Sequence, residues 1–164
     1  MPANANWARW IHASVGKYLK TVAATIPVPV LVEGIDDRDD TFMESEDRVE
    51  IRVNGPFTKE LSAGYHRLYV DVNVLVNSMM GGATKSAYTL DEILGVFHNA
   101  MDGAIAIYRF GTGPEDDADS LLGCITPRPG KNDFIRVLHF GQLNTTDRLK
   151  QGMVDARYVM YLNE

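Results

Sequence analysis

The sequence predicts an α+β protein: a mostly antiparallel or mixed β-sheet packed by two main helices. Three observations predict it. Residues 66–77 alternate, with Leu68, Val70, Val72, Val74 and Val76 on one side and Arg67, Tyr69, Asp71, Asn73 and Asn77 on the other. That period of two is a strand with one face in a core and one in water. Two segments, 6–25 and 89–101, carry apolar residues at helical spacing. The order of segments is helix, short strand, two strands, helix, then three or four strands, and runs of strands between helices indicate α+β rather than strict βαβ alternation.

Each element has its own justification. In 6–25, Trp7, Trp10, Ile11, Tyr18 and Val22 share a face with Val15 and Leu19 at its edge, while Arg9, Lys17 and Lys20 fall opposite. Two tryptophans and three cations without an acid also suit a membrane-surface helix. Packing is favoured, because the sheet has an apolar face to cover and only two helices to cover it. Pro27 and Pro29 stop the helix, and residues 28–32 read as a short extended segment at a sheet edge. Residues 33–47 are rich in acids and poor in apolar side chains, which predicts a long solvated loop. Val49, Ile51 and Val53 alternate with polar residues in a half-buried strand that Gly55 and Pro56 are expected to end. After the valine-rich strand, Met79, Met80, Gly81 and Gly82 predict a flexible loop.

Thr89 and Glu92 have the capping-box spacing and are expected to open the second helix, with Leu90, Ile93, Leu94, Phe97 and Met101 as its apolar stripe. Gly103 is its expected stop. Residues 104–110 are apolar on both faces apart from Arg109, the pattern of a central strand. An acidic turn over 111–119 follows. Strands are expected at 121–126 and 134–143, joined by Pro127, Arg128, Pro129 and Gly130, and a terminal strand at 154–162.

Composition bounds the function. The 164 residues suit one domain, with enough chain to bury a core without disulfides or metal. The formal net charge is −6, against a protein that mainly grips nucleic acid. The single cysteine, Cys124, excludes an internal disulfide, and its apolar strand predicts a buried inert thiol. No apolar run spans a bilayer. Trp7, Arg9, Trp10, His12 and Lys17 interrupt any secretory core region, so a protein made in the cytoplasm is expected. The glycosylation spacing at Asn144 therefore carries no weight.

Catalytic patterns are absent. His12, His66, His98 and His139 are scattered, without the spacing of a metal-binding helix. No nucleophile elbow or nucleotide-binding glycine pattern occurs, and Gly111-Thr112-Gly113 runs into Pro114 and acids. Asp36, Asp37, Asp39 and Asp40 lack calcium-loop spacing and the glycine of its sharp turn. No catalytic, cofactor or metal residue is assigned. Charge is uneven, however. The first 32 residues carry three cations and no acids, and the next 18 carry nine acids and two arginines. Opposite patches suit head-to-tail assembly as well as plain solubility.

The N-terminal helix, the strand 66–76, the helix 89–101 and the closing strands through 156–162 together resemble the tail terminator and tail-completion proteins of long-tailed and contractile-tailed bacteriophages, and the related neck proteins. The resemblance covers most of the chain and rests on size, element order and texture. It implies a single tail-terminator-like domain with an acidic loop near 33–47, an insertion outside the family pattern. It also implies a structural virion protein of the tail or neck, not an enzyme. Copies would form a ring, usually a hexamer, that caps the tail tube, ends its growth and joins the tail to the neck. Partners would be the tail tube protein and neck or connector proteins, with no membrane. DNA would pass through the lumen without specific binding, which repulsion by an acidic wall would help. Asp36, Asp37, Asp39, Asp40, Glu115, Asp116, Asp117 and Asp119 are the expected lumen or rim residues. Met79 and Met80 are the expected adaptable docking contact. Two other readings stay open: a head-side connector or adaptor of the neck, and a small α+β ligand-binding protein or enzyme. The last requires polar groups converging in a cavity, such as His66 or His139 beside a buried carboxylate.

Overall fold

The computed structural model describes residues 6–34, 36, 47–62, 65–78, 83–110, 118–128, 135–142 and 150–163. In chain order the elements are α1 (Asn6–Ala23), β1 (Val30–Val32), β2 (Arg48–Ser62), β3 (Tyr65–Ser78), α2 (Ala83–Met101), β4 (Ile105–Phe110), β5 (Ala118–Pro127), β6 (Arg136–Gln142) and β7 (Lys150–Asn163). The architecture is α+β: two helices against a mixed, curled seven-stranded sheet of order β1-β2-β3-β7-β5-β4, with β6 also paired to β7.

The valine-rich strand lies at the centre of this sheet. β3 pairs antiparallel with β2 on one side and along the whole of β7 on the other. Its Leu68, Val70, Val72, Val74 and Val76 are all fully buried, as the alternation predicts. Opposite them in register stand Val49 and Ile51 of β2 and Val154, Ala156, Tyr158 and Met160 of β7. Both helices cover this inner face and share one core with it.

The helix α1 is predicted nearly to its ends, but its buried stripe is displaced. Ile11, Val15 and Leu19 are fully buried, whereas Trp7, Tyr18 and Val22 are half-buried. Residues expected at the edge of the stripe therefore form its centre, because the sheet curls and grips α1 between β2 and β4. The tryptophans pack within the chain. Trp10 is buried, meets Trp7 edge-on at 5.8 Å, and donates from Nε1 to the Phe110 carbonyl at 3.1 Å.

Three expectations are corrected. First, β2 does not stop at Gly55 and Pro56 but runs through them to Ser62, with a register shift between Asn54 and Phe57. β1 pairs with β2 only as far as Ile51, so Pro56 lies where β2 is an edge strand and its missing N–H interrupts no ladder. Gly55 has φ +109°, and a Cβ there would lie 2.8 Å from the Tyr69 carbonyl oxygen. Secondly, α2 begins at Ala83, so Thr89 and Glu92 lie inside the helix and do not cap it. Ala83, Lys85 and Ala87 are good helix formers and extend it backwards. The helix ends at Met101, two residues before Gly103.

Thirdly, β4 is not central. It is the last strand of the sheet and pairs only with β5. Its apolar character reflects cover by α1, which also caps its free edge: Ser14 Oγ accepts from the Tyr108 N–H at 2.9 Å, and Arg9 and Trp10 both donate to the Phe110 carbonyl. Both expected strands, β5 and β6, are present, and among the described residues each pairs with β7. They divide one edge of β7, with β6 along residues 150–155 and β5 holding only Val159 and Tyr158.

Tyr158 ties this junction to the helix, since its buried hydroxyl donates to the Met101 carbonyl at 2.6 Å. Burial holds its phenol protonated far beyond the ordinary range. Tyr158→Phe leaves that carbonyl unpaired at the end of α2, and urea unfolding is expected to show a loss of about 1–3 kcal/mol. Gly55→Ala is expected to cost about 1–2 kcal/mol from backbone conformation alone. Gly103→Ala, where an added Cβ meets nothing within 4 Å, is expected to leave the urea midpoint nearly unchanged.

Candidate functional site

The expected lumen and docking residues fall largely outside the described residues: this holds for Asp37, Asp39, Asp40, Met79, Met80, Glu115, Asp116 and Asp117. Asp119 lies near the start of β5. Asp36 is described, and it organises a turn. Its Oδ2 accepts from the Val32 N–H at 2.9 Å, its own N–H donates to the Val32 carbonyl at 2.9 Å, and Lys20 of α1 pairs with its carboxylate. This aspartate links the end of β1 to the last turns of α1.

The histidines do not converge. His12 Nε2 lies 2.9 Å from the Gly55 carbonyl oxygen, and His139 Nε2 lies 3.7 Å from Asp91 Oδ1 with both side chains exposed. Cys124 is exposed, which corrects the buried thiol. Alternation on β5 turns Ile125 into the core and Cys124 to the other face, where α1 does not reach. Among the described residues no group of three His, Cys, Asp or Glu is placed to hold a metal ion. No helix among them is long and apolar enough to cross a membrane.

What the structure does assemble is the face of the sheet turned away from both helices. Register places Arg52, Asn54, Phe57 and Lys59 of β2 beside Asn73, Asp71, Tyr69 and Arg67 of β3, and these beside Asp155, Arg157, Val159 and Tyr161 of β7. One end of this face is closed, with Leu31, Glu50 and Asn77 buried. The other end is open: Phe57 is 53% exposed and Tyr161 60%.

Charge on the face follows a simple order. Asp71 receives two hydrogen bonds from Arg157, at 2.7 and 2.9 Å. Asp155 pairs with Arg136, and Glu50 with Arg52 at 3.1 Å. Such half-exposed pairs contribute about 0–1 kcal/mol each, so they order the surface more than they hold the fold. Among the described side chains of this face cations exceed acids, and Lys59, Arg67 and Arg128 lie at the open end. Arg67 Nη1 donates to the Tyr69 hydroxyl at 3.0 Å, and its guanidinium lies 5.8 Å from the Tyr69 ring centre and 4.9 Å from that of Tyr161. Arg128 covers the Tyr69 ring at 5.4 Å. The buried Arg67 Nε has no hydrogen-bond acceptor among the described residues. The hydrogen bond from Arg67 favours the phenolate and lowers the ionisation of Tyr69 below the usual tyrosine range, and the same contact raises the pKa of Arg67. A surface of cations held by aromatic rings is equipped to recognise an anionic or mixed surface.

The sequence marked Arg67, Tyr69 and Asp71 as the polar side of a strand. Their union with Phe57, Arg128, Arg157 and Tyr161 needed the register of β2, β5 and β7.

No protein-family model and no curated protein matches the chain. Several solved protein chains are similar in fold; with one of them, 96% of this chain aligns with 95% of that one, at a TM-score of 0.50 and 14% sequence identity. At that identity the likeness concerns the path of the backbone alone.

The phenol of Tyr69 is expected to titrate earlier than an ordinary tyrosine in an NMR pH series on ring-labelled protein. Arg67→Met is expected to return it towards the usual value, since the cation that favours its charged form is gone. A titration unchanged by that substitution would remove Arg67 as the cause.

Proposed function

We propose that this protein is a structural virion component that forms a six-membered ring at the head-proximal end of a bacteriophage tail tube, ends tube growth and joins the tail to the neck. The sequence resemblance supplies the class. The order of α1, the β2–β3 hairpin, α2 and the closing strands around β7 is compatible with it. The observation that carries the reading is the helix-free sheet face, which presents exposed aromatic and charged side chains on a hydrogen-bonded platform. Exposed aromatic side chains with charges beside them suit protein–protein contact.

The mechanism is one of binding. A ring seats on the last layer of the tube and occupies the surface that the next layer would use. The chain is net acidic at −6, so a lumen lined by its acids would repel DNA phosphates and let the strand slide.

In a phage that encodes this chain, interruption of its gene is expected to give tail tubes of uneven, extended length and heads without tails, seen by electron microscopy. Tails of uniform normal length lying unjoined beside filled heads would assign the protein to the head-side connector instead. Intact particles would remove both roles.

A further inference from the structure

The open end of the sheet face and the solvent side of α2 lie on opposite faces of the same strands, since α2 packs on the inner side of β3 and β7. Their charges are opposite. The sheet end carries Lys59, Arg67 and Arg128 around exposed Phe57 and Tyr161. The solvent side of α2 carries exposed Asp91 and Glu92, exposed Asp102 directly follows the helix, and Val96 of α2 is 37% exposed. Asp91 has His139 at 3.7 Å and is still 64% exposed. Among the side chains described there, the charges of the sheet end are basic and those of the α2 side are acidic. The sheet stands between them, so the two cannot meet within one molecule.

We infer that successive copies of this chain associate head to tail, the Arg67 end of one sheet docking on the acidic side of α2 in the next copy. The inference rests on the ring reading and names the surfaces that would build it. The two surfaces differ, so the contact is heterologous, and such contacts close into rings when the rotation between copies allows. Arg67 is held by the Tyr69 hydroxyl and by two tyrosine rings, so the guanidinium arrives at the contact ordered, at little further entropic cost. Charge complementarity fixes which faces meet and rejects sheet-to-sheet and helix-to-helix pairing. Single-stranded nucleic acid is the competing occupant of a basic, aromatic sheet face. The acidic side of α2 has no role in that alternative, and the net charge of −6 opposes it.

The test uses the full chain and two charge-reversed variants. One carries Lys59→Glu, Arg67→Glu and Arg128→Glu, and the other Asp91→Lys, Glu92→Lys and Asp102→Lys. Circular dichroism and urea unfolding establish that each is folded; Arg67→Gln with Arg128→Gln replaces the first if it is not. Sedimentation velocity is run across a concentration series at about 0.05 and 0.5 M salt, which differ severalfold in screening length. The wild type is expected to self-associate, more strongly at low salt. Each variant alone is expected to associate at least about 100-fold more weakly. An equimolar mixture of the two reversed variants restores complementary charge at every contact and is expected to recover association. Three results would overturn the proposal: variants that associate as the wild type does, a mixture that fails to recover, or a wild type that stays monomeric throughout. The first two leave the ring reading standing on other surfaces. The third, with binding of a single-stranded oligonucleotide that the first variant loses, would give the patch to nucleic acid, and the gene interruption would then decide the ring reading separately.

Discussion

Burial of one face of β3 is the constraint on which the rest of this structure depends. Leu68, Val70, Val72, Val74 and Val76 are all removed from water. Burying a valine or leucine side chain contributes roughly 1.5–3 kcal/mol, so this one row is a large fraction of what holds a small domain together. A slip of one residue in either neighbouring strand would turn that strand's own apolar row to the solvent. The row therefore sets the register of β2 and β7, and that register decides which polar side chains share the opposite face. Tyr69 meets Phe57 and Val159, and Arg67 meets Lys59 and Tyr161, because Leu68 and Val70 must point the other way.

The helix α1 serves two purposes. Ile11, Val15 and Leu19 complete the core, and Arg9, Trp10 and Ser14 occupy the free edge of β4. An open edge strand is a template for unwanted pairing, and side-chain hydrogen bonds from a helix close it. Among the described residues β5 touches β7 through two residue pairs, whereas β3 pairs with β7 along its whole length. The helix α1 packs mainly on β4 and β2, towards the two ends of the sheet, and leaves the outer face of β2, β3 and β7 uncovered.

That outer face and the acidic side of α2 give the molecule a direction. Opposite charge on opposite faces is compatible with a net charge of −6, because net charge governs solubility and long-range repulsion while local patches govern contact. The ion pairs across the sheet, Asp71 with Arg157 and Asp155 with Arg136, neutralise the middle of the face. Positive charge is left mainly beside the aromatic rings, so the cations that remain are those with fixed positions.

Strong, long periodicities were legible in the sequence: the α+β class, the helix over α1, the whole of β3 with its two faces, and the stripe of α2. These depend on local sterics and on one dominant core, which alternation and helical spacing encode directly. The sequence left undecided whatever depended on a partner distant in the chain. Gly55 and Pro56 read as a stop, yet β2 continues because that stretch is an edge. Residues 104–110 read as a central strand, yet α1 supplies the cover that a second strand would have given. Cys124 read as buried, yet β5 is covered on one face only. The recognition surface was decided in the same way. Arg67, Arg128, Phe57 and Tyr161 are far apart in sequence, and they meet only because hydrogen-bonded register aligns three strands over a core that the valine row alone had determined.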